Sequence, residues 1–412
     1  MQQRIREEQK TKPSHFKKSS KSSSSSRPTP RSGKPTSPKK KKQAAELDPN
    51  LFIKKAASRE ETHYTASRTI AEMPVHPDLV ANLIKKGFEY PTEIQDKSIE
   101  ALIDRRDLMG IAQTGTGKTG AFLIPLIDGL IGHKPEHQVL VIVPTRELAV
   151  QVEMEFKSIT KGLDLFCSCF IGGINLNRDL NELRRKSHIV IGTPGRLIDL
   201  GRQKALKFDR FDTLVLDEFD RLLDMGFQKD IQRMVSAMSH REHTILFSAT
   251  EEKGQKQLID ELLVDHVSIR VSNGATTGDN IDQEIIRVED GQNKLEVLVD
   301  MLQKPEFEKV LIFAETKRGV SGLYKKLKNL NFQVEQIHGD KSQNYRLNAL
   351  NSFKAGKIKV LLATDVAARG LDITEVSHVI NYQAPRSMDA YIHRIGRTGR
   401  AGKSGKAYTF VN

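Results

Sequence analysis

From about residue 68 onward, short and wholly apolar runs alternate with amphipathic stretches. The runs in the first half are "LMGIA" (108–112), "VLVIV" (139–143), "IVIG" (189–192), "TLVLD" (213–217) and "TILFS" (244–248). Those in the second half are "VLIFA" (310–314), "VEQIH" (334–338), "VLLAT" (360–364), "VINY" (379–382) and "AYTFV" (407–411). Between runs lie stretches such as "RELAVQVEMEFKSI" (146–159), which puts Leu148, Val152, Phe156 and Ile159 on one helical face. Strands apolar throughout, separated by helices, predict parallel sheets covered on both faces. Each half has the size of one doubly wound domain, and "VSNGATTGDN" (271–280), rich in Gly, Asn and Thr, reads as the linker. The expected organisation is α/β, with two tandem doubly wound domains at 68–270 and 284–412. A linker at 271–283 joins them, and a tail (1–45) and a transitional segment (46–67) come first.

Charge changes this picture only at the front. The chain carries +13, yet residues 1–45 hold fourteen Lys and Arg against Glu7 and Glu8, so nearly all the excess belongs to the tail. That tail is rich in Ser, Pro and Lys and has almost nothing to bury, which predicts disorder. Such an arm suits a salt-sensitive attraction to RNA or DNA. Its run Lys39 to Lys42 also imitates a nuclear-import signal. No apolar run approaches the ~18–20 residues of a membrane span, and no secretory signal opens the chain. Cys167 and Cys169 share one face of "LFCSCFIGG", a poor geometry for a disulfide. They read as small core residues in a reducing compartment, the cytoplasm.

The chemistry begins in "GIAQTGTGKTGAF", where a strand runs into Gln113, Thr114, Gly115, Thr116, Gly117, Lys118 and Thr119 and then a helix. A strict phosphate-loop pattern would have Gly at Ala112. The mechanism survives the difference: Gly115 and Gly117 let the backbone curl its N–H groups inward, and a helix N-terminus follows. Lys118 adds a point charge for the β- and γ-phosphates of ATP, and Thr119 a hydroxyl for Mg²⁺. In "LVLDEFDRLLDMGF" (214–227), Asp217 ends a strand facing the same crevice and is the natural partner of Mg²⁺. Glu218 is then placed to orient and deprotonate an attacking water. Asp220, taken alone, could equally cap a helix.

With "AQTGTGKT" and "DEFD" in place, the chain resembles the DEAD-box family of superfamily 2 RNA helicases over roughly 68–411. The resemblance is carried by "GFEYPTEIQ" (87–95), "PTRELA" (144–149), Gly172-Gly173, "TPGR" (193–196), "SAT" (248–250), "LIFAETK" (311–317), "HGDKSQNYR" (338–346), "TDVAARGLDI" (364–373) and "HRIGRTGR" (393–400). It implies two RecA-like domains that close on ATP and Mg²⁺ and bind RNA without reading its sequence. By that resemblance Phe88 and Gln95 recognise adenine and Asp372 the ribose. Of Arg394, Arg397 and Arg400, the last two become arginine fingers. Pro144, Thr145, Arg146, Gly173, Thr193, Arg196 and Thr364 follow the RNA backbone. Asp220, Ser248, Thr250 and His393 couple nucleotide to domain closure. Three positions depart from the family: Phe219 replaces Ala, Ile70 stands where an aromatic is usual, and Gln383 replaces an acid after "VINY". Phe219 is expected to pack into the core. The expected activity is RNA-stimulated ATP hydrolysis with local unwinding. An ATP-dependent RNA clamp and a DNA-directed relative are the alternatives.

Overall fold

The computed structural model describes residues 48–56, 64–113, 115–133, 138–250, 253–271, 280–289, 291–368, 373, 376–399 and 404–411. The basic tail, most of the linker, and Thr114, Asp372 and Arg400 therefore lie outside the described residues. The first sheet contains β1 (Leu108–Ile111), β2 (Val139–Ile142), β3 (Cys167–Phe170), β4 (Ile189–Gly192), β5 (Thr213–Leu216), β6 (His243–Ser248) and β7 (Val267–Arg270). Its order is β3-β4-β2-β5-β6-β1-β7. The second contains β8 (Ile281–Arg287), β9 (Val310–Phe313), β10 (Val334–Ile337), β11 (Val360–Ala363), β12 (His378–Asn381) and β13 (Gly405–Val411), in the order β10-β11-β9-β12-β13-β8. Neighbouring strands pair in parallel throughout both sheets.

The apolar runs are explained by what each face meets. Along β2, Val139 and Val141 enter one core while Leu140 and Ile142 enter another on the opposite face. Along β9, Leu311 and Phe313 face one core, Val310 and Ile312 the other. With helices packed on both sides, alternation of apolar and polar residues has no place to appear. The helix Arg146–Ile159 buries Leu148, Val152, Phe156 and Ile159, the expected stripe.

Three expectations need correction. The linker cannot extend to 283, because β8 begins at Ile281 and pairs with β13. Its "IDQEIIR" carries a mixed pattern because it lies at the end of the strand order, where among the described residues only a single bridge to Lys54 pairs its outer side. Cys167 and Cys169 do share a face, but that face is half-buried, while Ser168 and Phe170 point inward. Burial pushes the Cys167 thiol up to about 12, which leaves it unreactive. The stretch at 46–67 is also more than a transition. Phe52, buried to 1 % exposure, meets Tyr391 with ring centroids 4.7 Å apart, and Lys54 pairs its backbone with Gln283 on β8. Further on, Tyr64 Oη and the Ser67 backbone N–H donate to the Asp96 carboxylate at 2.6 and 2.8 Å. The same short segment is thus anchored on the second sheet's body at one end and on the first at the other.

Candidate nucleotide and nucleic-acid site

After β1 the chain turns through 112–117 into the helix Lys118–Leu130. Gly115 and Gly117 have φ of 90° and 94°, the left-handed region that favours glycine. At Gly117 a Cβ would lie 2.6 Å from Thr92 Oγ1 and 2.8 Å from Gln95 Nε2, so the close approach also demands glycine. Lys118 is buried and donates its Nζ to the Ala112 carbonyl at 2.8 Å, across the mouth of the loop. Thr116 donates to the Gln113 carbonyl at 2.8 Å, and Thr119 is half-buried in the helix's first turn.

Gln95 does something other than wait for a base. Its oxygen accepts the Thr92 N–H at 3.0 Å and its Nε2 donates to the Gly117 carbonyl at 3.0 Å. The spacing Thr92-x-x-Gln95 puts the two at N-cap and N3 of the helix Glu93–Ile103, a capping box. The expected adenine reader is therefore also a brace between that helix and the phosphate loop. Phe88 is half-buried against the first core, with Lys86 Nζ 5.5 Å over its ring. Ile70, at the usually aromatic position, is fully buried in that core.

The acidic cluster sits just past β5, and its three carboxylates go separate ways. Asp217 is buried, and its Oδ1 accepts the Glu218 N–H at 2.8 Å. Burial pushes its pKa up to about 6; Lys118 opposes the rise, while Glu218 and Asp220 add to it. Glu218 stands in the left-handed region (φ 52°) and its Oε2 accepts from Arg221 Nη1 at 2.6 Å. Burial would raise its pKa too, but Arg221, Lys118 and Arg397 outweigh it and hold the carboxylate below its ordinary value. Asp220 Oδ2 accepts the N–H groups of Ala249 and Thr250 at 3.2 Å and the Thr250 hydroxyl at 3.3 Å, and its own N–H donates to Ser248 Oγ. Asp220 thus touches both Ser248 and Thr250, two of the residues grouped with it in the sequence. Among the described residues no three His, Cys, Asp or Glu side chains converge as a metal nest.

Phe219 is fully buried. The strand ends at Leu216 and Phe219 opens the helix Phe219–Asp224, which turns the ring into the core beside Leu222 and Ile231.

The helix Met388–Ile395 of the second sheet's body carries His393 and Arg394 in its last turn, with Arg397 just beyond. Arg394 is buried and grips Asp365 with two bonds of 2.6 and 2.8 Å, which makes it a structural pin. His393 and Arg397 line a small cleft with Phe313 and Asp365. Arg397 is buried and close enough to Glu218 for its charge to count there. Gln383 Oε1 accepts the Glu315 N–H at 2.8 Å, an acceptor's duty that an acid would also perform.

Thr145, Thr193 and Thr364 stand just past β2, β4 and β11, each immediately before a helix. Pro144 is buried beside Thr145. Gly173 (φ 80°) lies against the Arg146 guanidinium, where a Cβ would overlap Nη1. Arg196, expected on the RNA path, already has protein partners. It is 8 % exposed, and its guanidinium donates to Asp179 Oδ2 at 2.8 Å and the Ile174 carbonyl at 2.6 Å. Sequence reasoning also missed Glu147, 1 % exposed, which accepts from Gln343 Nε2 at 2.9 Å and pairs with Arg346 Nη2 at 2.9 Å, linking the two sheet bodies. The available signal was only an acid in the first turn of the predicted helix, directly before the buried Leu148 and Ala149. Arg221 was missed as well; its i, i+3 spacing from Glu218 was visible.

Residues 92–258 match a family model described as DEAD/DEAH box helicase, and 293–402 match one described as Helicase conserved C-terminal domain. Among curated proteins, the RNA helicase CrhR of Synechocystis is 40 % identical over 347 residues, covering 84 % of this chain and 70 % of that protein. The chain belongs to the DEAD/DEAH box helicase family. The DEAD-box ATP-dependent RNA helicase CshA of Streptococcus pneumoniae is 42 % identical over 340 residues, 82 % of this chain. This chain spans 65 % of the length of that relative. Two solved structures share the fold. The DEAD-box helicase Mss116 bound to ssRNA and UDP-BeF matches with TM-score 0.75 and 30 % identity, covering 84 % of this chain and 75 % of that one. Dbp5 of S. cerevisiae bound to RNA and ADP BeF3 matches with TM-score 0.72 and 29 % identity, covering 84 % and 90 %. The two matched regions of this DEAD/DEAH box helicase contain β1 to β6 and β9 to β12, so each falls on one sheet.

Proposed function

We propose that this chain is an ATP-dependent RNA helicase that hydrolyses ATP with Mg²⁺ between its two RecA-like domains. It binds single-stranded or short duplex RNA without sequence preference and separates strands locally. The observation that supports it most is electrostatic. Glu218 lies in the field of Lys118 from the first sheet's body and Arg397 from the second. A hydrolytic carboxylate held among cations from two domains fits phosphoryl transfer, which depends on positioning and charge stabilisation.

The residues suit a nucleotide and Mg²⁺. Lys118 rests on a neutral carbonyl that phosphate oxygens would replace, in a loop whose glycines leave room for them. Asp217, buried with its pKa pushed up, is a carboxylate short of positive charge, as a Mg²⁺ partner would be. Gln113, Thr114, Gly115, Thr116, Gly117 and Lys118 would hold the phosphates, Thr119 and Asp217 the metal, and Asp372, Phe88 and Gln95 the nucleoside. Bound Mg²⁺ neutralises phosphate charge. Glu218 orients water and accepts its proton, while Arg397 and Arg400 stabilise charge on the transferred group. Pro144, Thr145, Arg146, Gly173, Thr193 and Thr364 would track the RNA backbone through N–H, hydroxyl and guanidinium groups, contacts that position without reading bases. The variant Asp217-Glu218-Phe219-Asp220 serves as the family's acidic motif, with Phe219 as packing. The chain works as a monomer or within RNA–protein complexes, in the cytoplasm.

The test is ATP turnover with and without RNA, together with release of a labelled strand from a short duplex. RNA-stimulated turnover with release is expected. Turnover indifferent to RNA would sink the reading, and RNA-stimulated turnover without release would indicate a clamp.

A further inference from the structure

We propose that Arg221 is the positioning residue for Glu218: it holds one carboxylate oxygen and thereby sets the direction of the other, the one left to face water. The proposal rests on the reading of Glu218 as the group that orients the attacking water.

The local backbone is the first reason. Glu218 adopts φ 52° and ψ 51°, a left-handed conformation that is unfavourable for a residue with a Cβ. Strain of this kind persists only where the surroundings over-determine it. Here Asp217 Oδ1 takes the Glu218 N–H at 2.8 Å, and Arg221 takes the side chain at 2.6 Å. Both partners are buried, their side chains 5 % and 7 % exposed. Arg221 is fixed in turn, since its backbone N–H donates to Asp220 Oδ1 at 2.9 Å. The same Asp220 carboxylate holds the Ala249 and Thr250 amides. One chain of contacts therefore runs from residues 249–250 through Asp220 and Arg221 to the Glu218 carboxylate.

The second reason is that Arg221 is poorly explained as a structural group. Its Nη2 is buried without a partner, whereas an arginine placed for stability would have its donors satisfied. A buried ion pair is also weak evidence for stability, because desolvation offsets much of the attraction. Only Oε2 of Glu218 is engaged by Arg221. The planar guanidinium fixes a direction as well as a distance, which an ammonium cannot do.

The experiment compares wild type, Arg221→Gln and Arg221→Lys in steady-state ATPase assays with saturating RNA, alongside melting curves. Arg221→Gln should lower kcat at least about tenfold, since misplacing a catalytic group by an ångström costs up to about a hundredfold. The ATP KM should stay within about twofold, the pattern of a group that matters only in the transition state. Arg221→Lys should fall between the two. In single-turnover hydrolysis, adding Arg221→Gln to Glu218→Gln should cost less than about a further twofold, because the residue acts through Glu218. Losses that multiply, a kcat that stays level, or a raised KM at constant kcat each overturn the proposal. Should Arg221→Gln melt below the assay temperature, Arg221→Lys carries the comparison, and a full kcat there overturns it. Absence of RNA-stimulated turnover in wild type defeats the reading of the site instead.

Discussion

Gln95 donates its side-chain amide to the Gly117 carbonyl at 3.0 Å while its amide oxygen caps the Thr92 N–H at the same distance. One side chain therefore joins the start of the helix Glu93–Ile103 to the phosphate loop. Gln95→Ala should raise the ATP KM and lower the melting point, because it releases the loop and removes the N3 half of the capping box. GTP is the informative control. If Gln95 also reads adenine, the variant loses preference for ATP over GTP. If it acts only as a brace, both nucleotides weaken by the same factor. An unchanged KM for both would show that neither role holds.

Much of this architecture was legible because burial on both faces leaves a plain mark. "VLVIV" and "VLIFA" are apolar throughout, and strands stand there. β8 was illegible for the converse reason: an edge strand such as "IDQEIIR" alternates weakly and resembles loop. The phosphate loop and acidic motif could be read because their chemistry needs neighbours in sequence. Pairings between distant residues left no such trace. Nothing near Phe52 points to Tyr391, and nothing near Arg196 reveals that Asp179 already occupies its guanidinium. Gln95 shows a third kind of gap, where the capping spacing was visible and the family resemblance drew attention to the base instead.

Arg196 gives a direct test of that gap. Its pair with Asp179 is buried on both sides, at 8 % and 6 % side-chain exposure. Removing one partner of a buried pair typically costs about 3–5 kcal/mol, since the other charge is left stranded. Arg196→Ala should therefore lower the melting temperature sharply even without RNA. Arg146→Ala, by contrast, should weaken RNA binding with a smaller effect on melting, Arg146 being half-buried and, among the described residues, without an ion pair. Loss of RNA affinity at an unchanged melting point in Arg196→Ala would restore its expected role.

Glu147 joins the two sheet bodies by accepting from Gln343 and pairing with Arg346. Glu147→Gln removes the charge that offsets the buried Arg346, whose pKa burial already pushes down. The lobes can avoid stranding that charge by parting. RNA-stimulated turnover should fall while turnover without RNA changes little, and a pair of fluorophores on the two domains should report less closure. Because the partners touch, Glu147→Gln combined with Arg346→Gln should cost less than the two single losses added. Full additivity would show that the contact carries no coupling.

His378 should make the second domain lose stability in acid. It opens β12 at 4 % exposure, its ring 4.1 Å from that of Phe307 and 6.0 Å from that of Tyr408. Ser377 Oγ already donates to the Lys309 carbonyl at 3.0 Å, so the bond of 2.9 Å between His378 Nδ1 and that hydroxyl has the ring nitrogen as donor. Nε2 is then the bare nitrogen, buried without a partner, so a proton added there finds no acceptor. Burial, reinforced by Lys406, pushes the folded pKa down to about 4 from the usual 6.5. In the unfolded chain the ring binds its proton near pH 6.5, so unfolding gains protons below that value. The stabilisation is therefore complete above pH 6.5 and is lost as pH falls toward 4, amounting to about 2 kcal/mol by pH 5. Several carboxylates also titrate in this range, so the comparison must be with a variant lacking the ring. His378→Phe keeps the aromatic stack, and its stability in urea should fall about 2 kcal/mol less than wild type between pH 7 and 5. A gap between the two curves that stays constant across that window would show that His378 is protonated in the folded chain at no cost.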